Sequence, residues 1–181
     1  MRRLLILAAL LVLAGAALAP GLARAQGQAP DPSQVPPPSE LIRQAGYSLT
    51  DAEARYLDGD NQVQLAWVMP LAQALNLAGP GPGLPDPDTQ AGIVAAFQQI
   101  LALDPAAAPE APPTLQRLRE LAIEQRAALQ RAVAAWLAAL QAGDPDWRLR
   151  GADDFIAAQQ SLAAWQQELF SRYPPPATAQ P

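Results

Sequence analysis

Chemistry on this chain would have to be done by carboxylates, arginines, tyrosines and hydroxyls, because it contains no His and no Cys, and all twelve of its basic residues are Arg. Imidazole or thiolate metal sites, Ser-His and Cys-His nucleophiles, thiol redox chemistry and Schiff bases are thereby excluded. Paired carboxylates are the remaining catalytic option, as in a glycosidase-like acid and base. The candidates are Asp153 with Asp154, Asp144 with Asp146, and Glu120 with Glu124. Each has a plainer explanation: the first pair belongs in the opening turn of a helix, the second in a turn, the third on a solvated face.

Asp58-Gly59-Asp60-Asn61 could offer oxygen ligands to Ca²⁺, but the residues that follow do not make a calcium loop. Counted from Asp58, Val63 stands where the invariant Gly is needed and Met69 where the bidentate Glu is needed. A turn that caps the next helix explains the acids, so no metal and no cofactor is expected. The most suggestive recognition chemistry lies in the turn from Gly143 to Asp154, GDPDWRLRGADD, where Trp147, Arg148 and Arg150 stand among four aspartates. Trp and Arg are enriched at interface hot spots, which makes these three the candidate partner-binding residues. The competing reading folds Trp147 under a helical hairpin, with Arg148 and Arg150 neutralising Asp153 and Asp154.

The elements that would position these groups are helices separated by proline. No ionisable residue occurs between Asp60 and Asp86. The stretch Asn61–Gly79 is apolar all round, which predicts a buried helix, bent or broken near Trp67–Met69 by Pro70. Ser39 is expected to cap a short helix before it, and Thr50 with Glu53 a second, through a capping box, ending near Gly59. Thr89–Leu103 carries a one-sided stripe of Ile93, Phe97, Ile100 and Leu101 that should pack on the central helix. Thr114 is expected to cap the longest helix, Thr114–Ala142, with Leu115, Leu118, Ala122, Leu129, Val133, Trp136 and Leu140 inward. Asp153 or Asp154 should open the last, whose seam is Phe155, Ala158, Leu162, Trp165 and Leu169. Trp67 and Trp165 are both assigned to the core. Ala95-Ala96-Phe97, Ala134-Ala135-Trp136 and Ala163-Ala164-Trp165 look alike, but their unequal spacing argues against a solenoid. With no alternating strand pattern, the fold class is all-α, a bundle of about five helices with Pro-rich connections.

Residues 1–25 read as a secretory signal: arginines at 2 and 3, an apolar run Leu4–Ala19, and the small-residue site Ala23-Arg24-Ala25, with cleavage between Ala25 and Gln26. Residues 26–38 are a Pro-rich linker expected to be disordered, 39–173 the bundle, and 174–181 a disordered tail. After cleavage nine Arg face seventeen acids, a net charge of −8. An acidic surface disfavours nucleic acid and anionic membrane as partners.

Leu49-Thr50-Asp51-Ala52-Glu53 resembles the Leu-Thr-x-x-Gln motif of small helical periplasmic chaperones and metal-stress proteins. Glu53 replaces the family's Gln, the motif occurs once, and the chain lacks the basic or metal-binding surface of that family. The resemblance implies a stress-chaperone-like role as one alternative, without membership being assigned. The expectation is therefore an exported, periplasmic or secreted, non-catalytic interaction or envelope-accessory protein whose partner is another envelope protein. The alternative from another class is a carboxylate-dependent envelope hydrolase or polysaccharide-binding protein. Mass spectrometry of the exported product should find Gln26 as its first residue; a product retaining Leu4–Ala19 would make it an anchored protein.

Overall fold

The computed structural model describes residues 36–79 and 82–174. The signal segment with its Ala25–Gln26 junction, the linker up to position 35 and the tail after Pro174 lie outside the described residues. Among the described residues the chain is an all-α bundle of five α-helices without a strand. They are α1 (Pro38–Gln44), α2 (Asp51–Ala78), α3 (Pro87–Leu101), α4 (Gln116–Gln141) and α5 (Ala152–Arg172). Short 3-10 turns at Pro113–Leu115 and Trp147–Leu149 lead into α4 and α5. No described helix is long and apolar enough to cross a membrane.

The bundle begins at Pro38, which is buried and opens α1, one residue inside the expected linker. A proline is suited to that place because the first helical N–H has no intrahelical partner to lose. Ser39 does not cap α1. Its backbone N–H and hydroxyl instead donate to the Asp58 carboxylate, at 2.9 and 2.7 Å, which ties α1 to α2. At the other end the Tyr47 hydroxyl donates to the Pro174 carbonyl.

The capping box forms as expected: the Thr50 hydroxyl accepts from the Glu53 N–H, and the Glu53 carboxylate accepts from the Thr50 N–H. That backbone bond is the main reason the Glu53 carboxyl sits below its ordinary range. The helix it starts does not stop at Gly59, however, and the two helices expected on either side of that glycine are one. A Cβ at Gly59 would lie 2.7 Å from the Pro109 ring, so this glycine admits the close approach of a neighbouring loop instead of ending a helix. Nor does Pro70 break α2. Trp67, Pro70, Leu71 and Ala74 are all buried, and this packing holds the chain helical where proline removes one hydrogen bond. The central stretch is not enclosed on all sides, as Met69 is 54% and Leu77 41% exposed.

Asp86 caps α3 by accepting from the backbone of Asp88 and Thr89, with Pro87 in the first turn, so the helix starts ahead of Thr89. Its stripe points into the main core, with Ile93, Phe97 and Ile100 fully buried. Thr114 does not cap α4. Its hydroxyl donates to Glu53 at 2.8 Å, and α4 grows out of the 3-10 turn. The inward residues named for α4 from its sequence are all buried. With 28 residues against 26, α2 is the longer helix.

Gly151, not Asp153 or Asp154, stands at the N-cap of α5. A side chain there would meet the Ala132 carbonyl at 2.5 Å and the Trp136 indole nitrogen at 2.8 Å, so glycine lets α5 begin directly against α4. Of the seam, Ala158 and Leu169 are buried, while Phe155, Leu162 and Trp165 are only partly covered and Ile156 is exposed. The reason is position: α5 lies at the edge of the bundle and packs chiefly along α4.

Two cores result. The larger gathers Trp67, Leu71, Ile93, Phe97, Val133, Trp136 and Trp147 from α2, α3, α4 and the second 3-10 turn. Phe97 stacks on Trp136 with ring centres 5.9 Å apart, and Phe155 closes on the other side of Trp136 at 5.2 Å. The smaller core joins Ile42, Tyr56, Leu57, Leu115, Leu118 and Leu169, with Trp165 at its margin. The three Ala-Ala-aromatic triplets therefore occupy inequivalent places. Trp67→Ala should cost about 3–5 kcal/mol in denaturant melts, and Trp165→Ala clearly less. Gly59→Ala should lower stability despite the gain of about 1 kcal/mol that alanine brings to an unobstructed helix position.

Candidate functional site

The two aspartates of the Asp58–Asn61 turn are engaged separately. Asp58 serves Ser39, and Asp60, 5% exposed, pairs with Arg126 at 3.0 Å. Burial pushes the Asp60 carboxyl upward, and the Arg126 charge and hydrogen bond oppose that shift. The Tyr56 hydroxyl beside this pair is likewise pushed up, by burial and then by the charge of Asp60. Arg126 is fully buried and its Nε donates to the Pro105 carbonyl at 3.2 Å. This ties α2, α4 and the loop after α3 together at one point.

That loop, Asp104–Pro112, contains Pro105, Pro109 and Pro112, which have carbonyls but no N–H. Donors come from the side chains of α4: Gln130 reaches Leu101 and Leu103, Arg126 reaches Pro105, and Gln116 reaches Ala111. Of the remaining acid pairs, Glu120 and Glu124 face Arg117 at 3.0 and 3.9 Å on the solvated side of α4. Asp154 meets Arg131 at 2.8 Å. Among the described residues no three acids converge in a way that could hold a metal ion.

The turn proposed for partner binding is built inward. Trp147 is 1% exposed, packs edge-on against Phe97 and donates from its indole to the Gly83 carbonyl at 3.3 Å. The Arg148 guanidinium lies over the Trp147 ring, 5.0 Å from its centre, and donates to the carbonyl of Ala78 at the end of α2. No basic residue occurs in the last turn of α2. Arg148 thus brings a positive charge to a helix end that supplies none of its own. Arg150 is exposed but pairs with Asp144 at 2.7 Å, and that contact is the main reason Asp144 lies below the ordinary carboxylate range. The expected pairing of Arg148 and Arg150 with Asp153 and Asp154 is therefore replaced by other partners. Trp147 is thus enclosed, Arg148 is half-buried between its ring and the end of α2, and Arg150 is exposed.

The feature open to a ligand lies elsewhere. An open groove of ≈ 580 Å³ runs over α2 and α3, lined by Met69, Pro70, Ala72, Gln73, Asn76, Leu77 and Gln99. None of these residues is ionisable. The exposed residues of α2 beyond Asn61 are Gln62, Ala66, Met69, Gln73, Asn76 and Leu77, and those of α3 beyond Thr89 are Ala91, Ala95, Gln98 and Gln99. The exposed face of α4 instead carries Arg117, Glu120, Glu124 and Arg131. Such a groove can hold an apolar side chain and exchange amide hydrogen bonds; it has no acid or base to donate. The signal for it in the sequence is the charge-free run from Asp60 to Asp86, which reads as burial unless the outward residues are considered separately.

Neither protein-family models, curated proteins nor solved structures include a match to this chain. Asp60→Ala should be more damaging than Arg126→Met, although breaking a buried pair typically costs about 3–5 kcal/mol. The first leaves an arginine that keeps its charge in the interior, whereas Asp60 alone can take up a proton. Because burial raises its carboxyl, the folded state holds that proton more tightly than the unfolded chain. The deficit of Arg126→Met should therefore shrink as pH falls through the acid range and grow as pH rises, which melts at several pH values will read.

Proposed function

We propose that the protein is an exported, non-catalytic interaction module of the cell envelope, and that the neutral groove over α2 and α3 is its contact surface. The observation that carries this reading is the groove itself: Met69 and Leu77 are large apolar residues left exposed in a lining without an ionisable residue. Exposed apolar area flanked by polar groups is what interfaces use, and depletion of charge marks their centres. The engagement of the acids with arginines and helix ends supports a non-catalytic role. The small-residue site before Gln26 supports export.

Met69→Glu combined with Leu77→Glu places two charges in the groove at positions already in contact with water, so the fold should be retained. In a cross-linked pull-down from envelope extract, the protein partner recovered with the natural chain should be lost with this variant, at an unchanged melting temperature. Trp147→Ala should instead lower the melting temperature, and Arg150→Ala should affect neither readout. Full partner recovery by the folded Met69→Glu, Leu77→Glu variant would refute the assignment of this surface.

A further inference from the structure

We infer that the occupant of the α2–α3 groove is a second copy of this chain, so that the protein self-associates through this face about a twofold axis. The inference rests on the reading that the groove is an interaction surface. Three observations identify the occupant. The first is charge. A chain of net −8 after loss of residues 1–25 repels its own copies, and the exposed side of α4 would bring Glu120 and Glu124 toward like groups. The groove, whose lining carries no ionisable residue, is where two such molecules can meet without opposing carboxylates, whereas a basic partner would be drawn to the acidic surface instead.

The second observation is the kind of polar group present. Gln73, Asn76 and Gln99 each carry one amide oxygen and one amide nitrogen, so each donates and accepts. An amide face is complementary to a copy of itself; a carboxylate or guanidinium face is not. The third is shape and spacing. A twofold interface must supply both the projecting side chain and its receiving hollow from one surface. Here the exposed Met69 and Leu77 line the groove together with Pro70, Gln73 and Gln99, so one surface holds both large apolar side chains and the hollow between them. The exposed residues Gln62, Ala66, Met69, Gln73 and Asn76 alternate steps of four and three, the spacing at which one helix lies along another.

Sedimentation of the full chain, from micromolar to submillimolar concentration, should show a monomer–dimer equilibrium that tightens with added salt as the repulsion between acidic surfaces is screened. Met69→Glu should leave a monomer at every concentration, and Ile156→Glu, on an exposed side chain of α5, which packs chiefly along α4, should leave the dimer unchanged. Because the chain has no cysteine, Gln73→Cys provides a single thiol near the proposed axis. Under mild oxidation it should form covalent dimer several-fold faster than Ile156→Cys. A natural chain that stays monomeric throughout, a Met69→Glu variant that still dimerises, or equal cross-linking of the two cysteine variants would each overturn the inference. If the natural chain is monomeric yet loses an envelope partner on Met69→Glu, Leu77→Glu, the interaction surface stands and only the identity of its occupant falls.

Discussion

The arrangement of this bundle depends on one buried contact, the ion pair between Asp60 in the middle of α2 and Arg126 in the middle of α4. Two charges withdrawn from water are a cost that their mutual attraction offsets only when the geometry is good and the other hydrogen-bonding atoms are also served. Here Arg126 spends a second donor on the Pro105 carbonyl, which brings the loop after α3 into the same contact, but its other terminal nitrogen and the neighbouring Tyr56 hydroxyl are buried without a hydrogen-bond partner among the described residues. The pair is therefore a register device as much as a source of stability. Sliding α4 along α2 by one turn would strand both charges in the interior, while apolar side chains at those positions would tolerate several registers.

The loop held by this contact follows from proline chemistry. A segment rich in proline has carbonyls to satisfy and too few N–H groups to satisfy them locally, so it can lie against the bundle only where a helix presents long donor side chains. Gln116, Arg126 and Gln130 do this along α4. The loop in turn sets Pro109 against Gly59, and a residue that looks like a helix terminator becomes the place where α2 is narrow enough to be covered. A similar exchange holds the other end, where Arg148 reaches the Ala78 carbonyl across the hairpin and Trp147 fills the space beneath.

With the charges on α1, α4, α5, the loops, the N-terminal half of α2 and the first turn of α3, the C-terminal half of α2 and the rest of α3 are left as a neutral surface. Packing uses only one side of that hairpin: Trp67, Leu71, Ile93 and Phe97 are inside, and Met69, Gln73 and Leu77 remain outside. The distribution links fold and proposed function, since the face free of charge is also the face that carries the groove.

The sequence by itself determined the helical class, the inward stripe of α3 and α4 and the Thr50–Glu53 box. These are local or periodic features, set by side chains within a turn or two of one another. The tertiary structure alone decided whether Gly59 and Pro70 end a helix, because the outcome depends on Pro109 and the main core, both far along the chain. It also decided that Trp147 is enclosed, that Arg148 reaches the end of α2, and that Thr114 and Ser39 bond to distant acids instead of capping their own helices. The neutral run from Asp60 to Asp86 was legible as unusual, but a lack of charge suits an interior and an interface equally. Only the placement of α3 on one side of α2 separated the residues that are buried from those left to meet a partner.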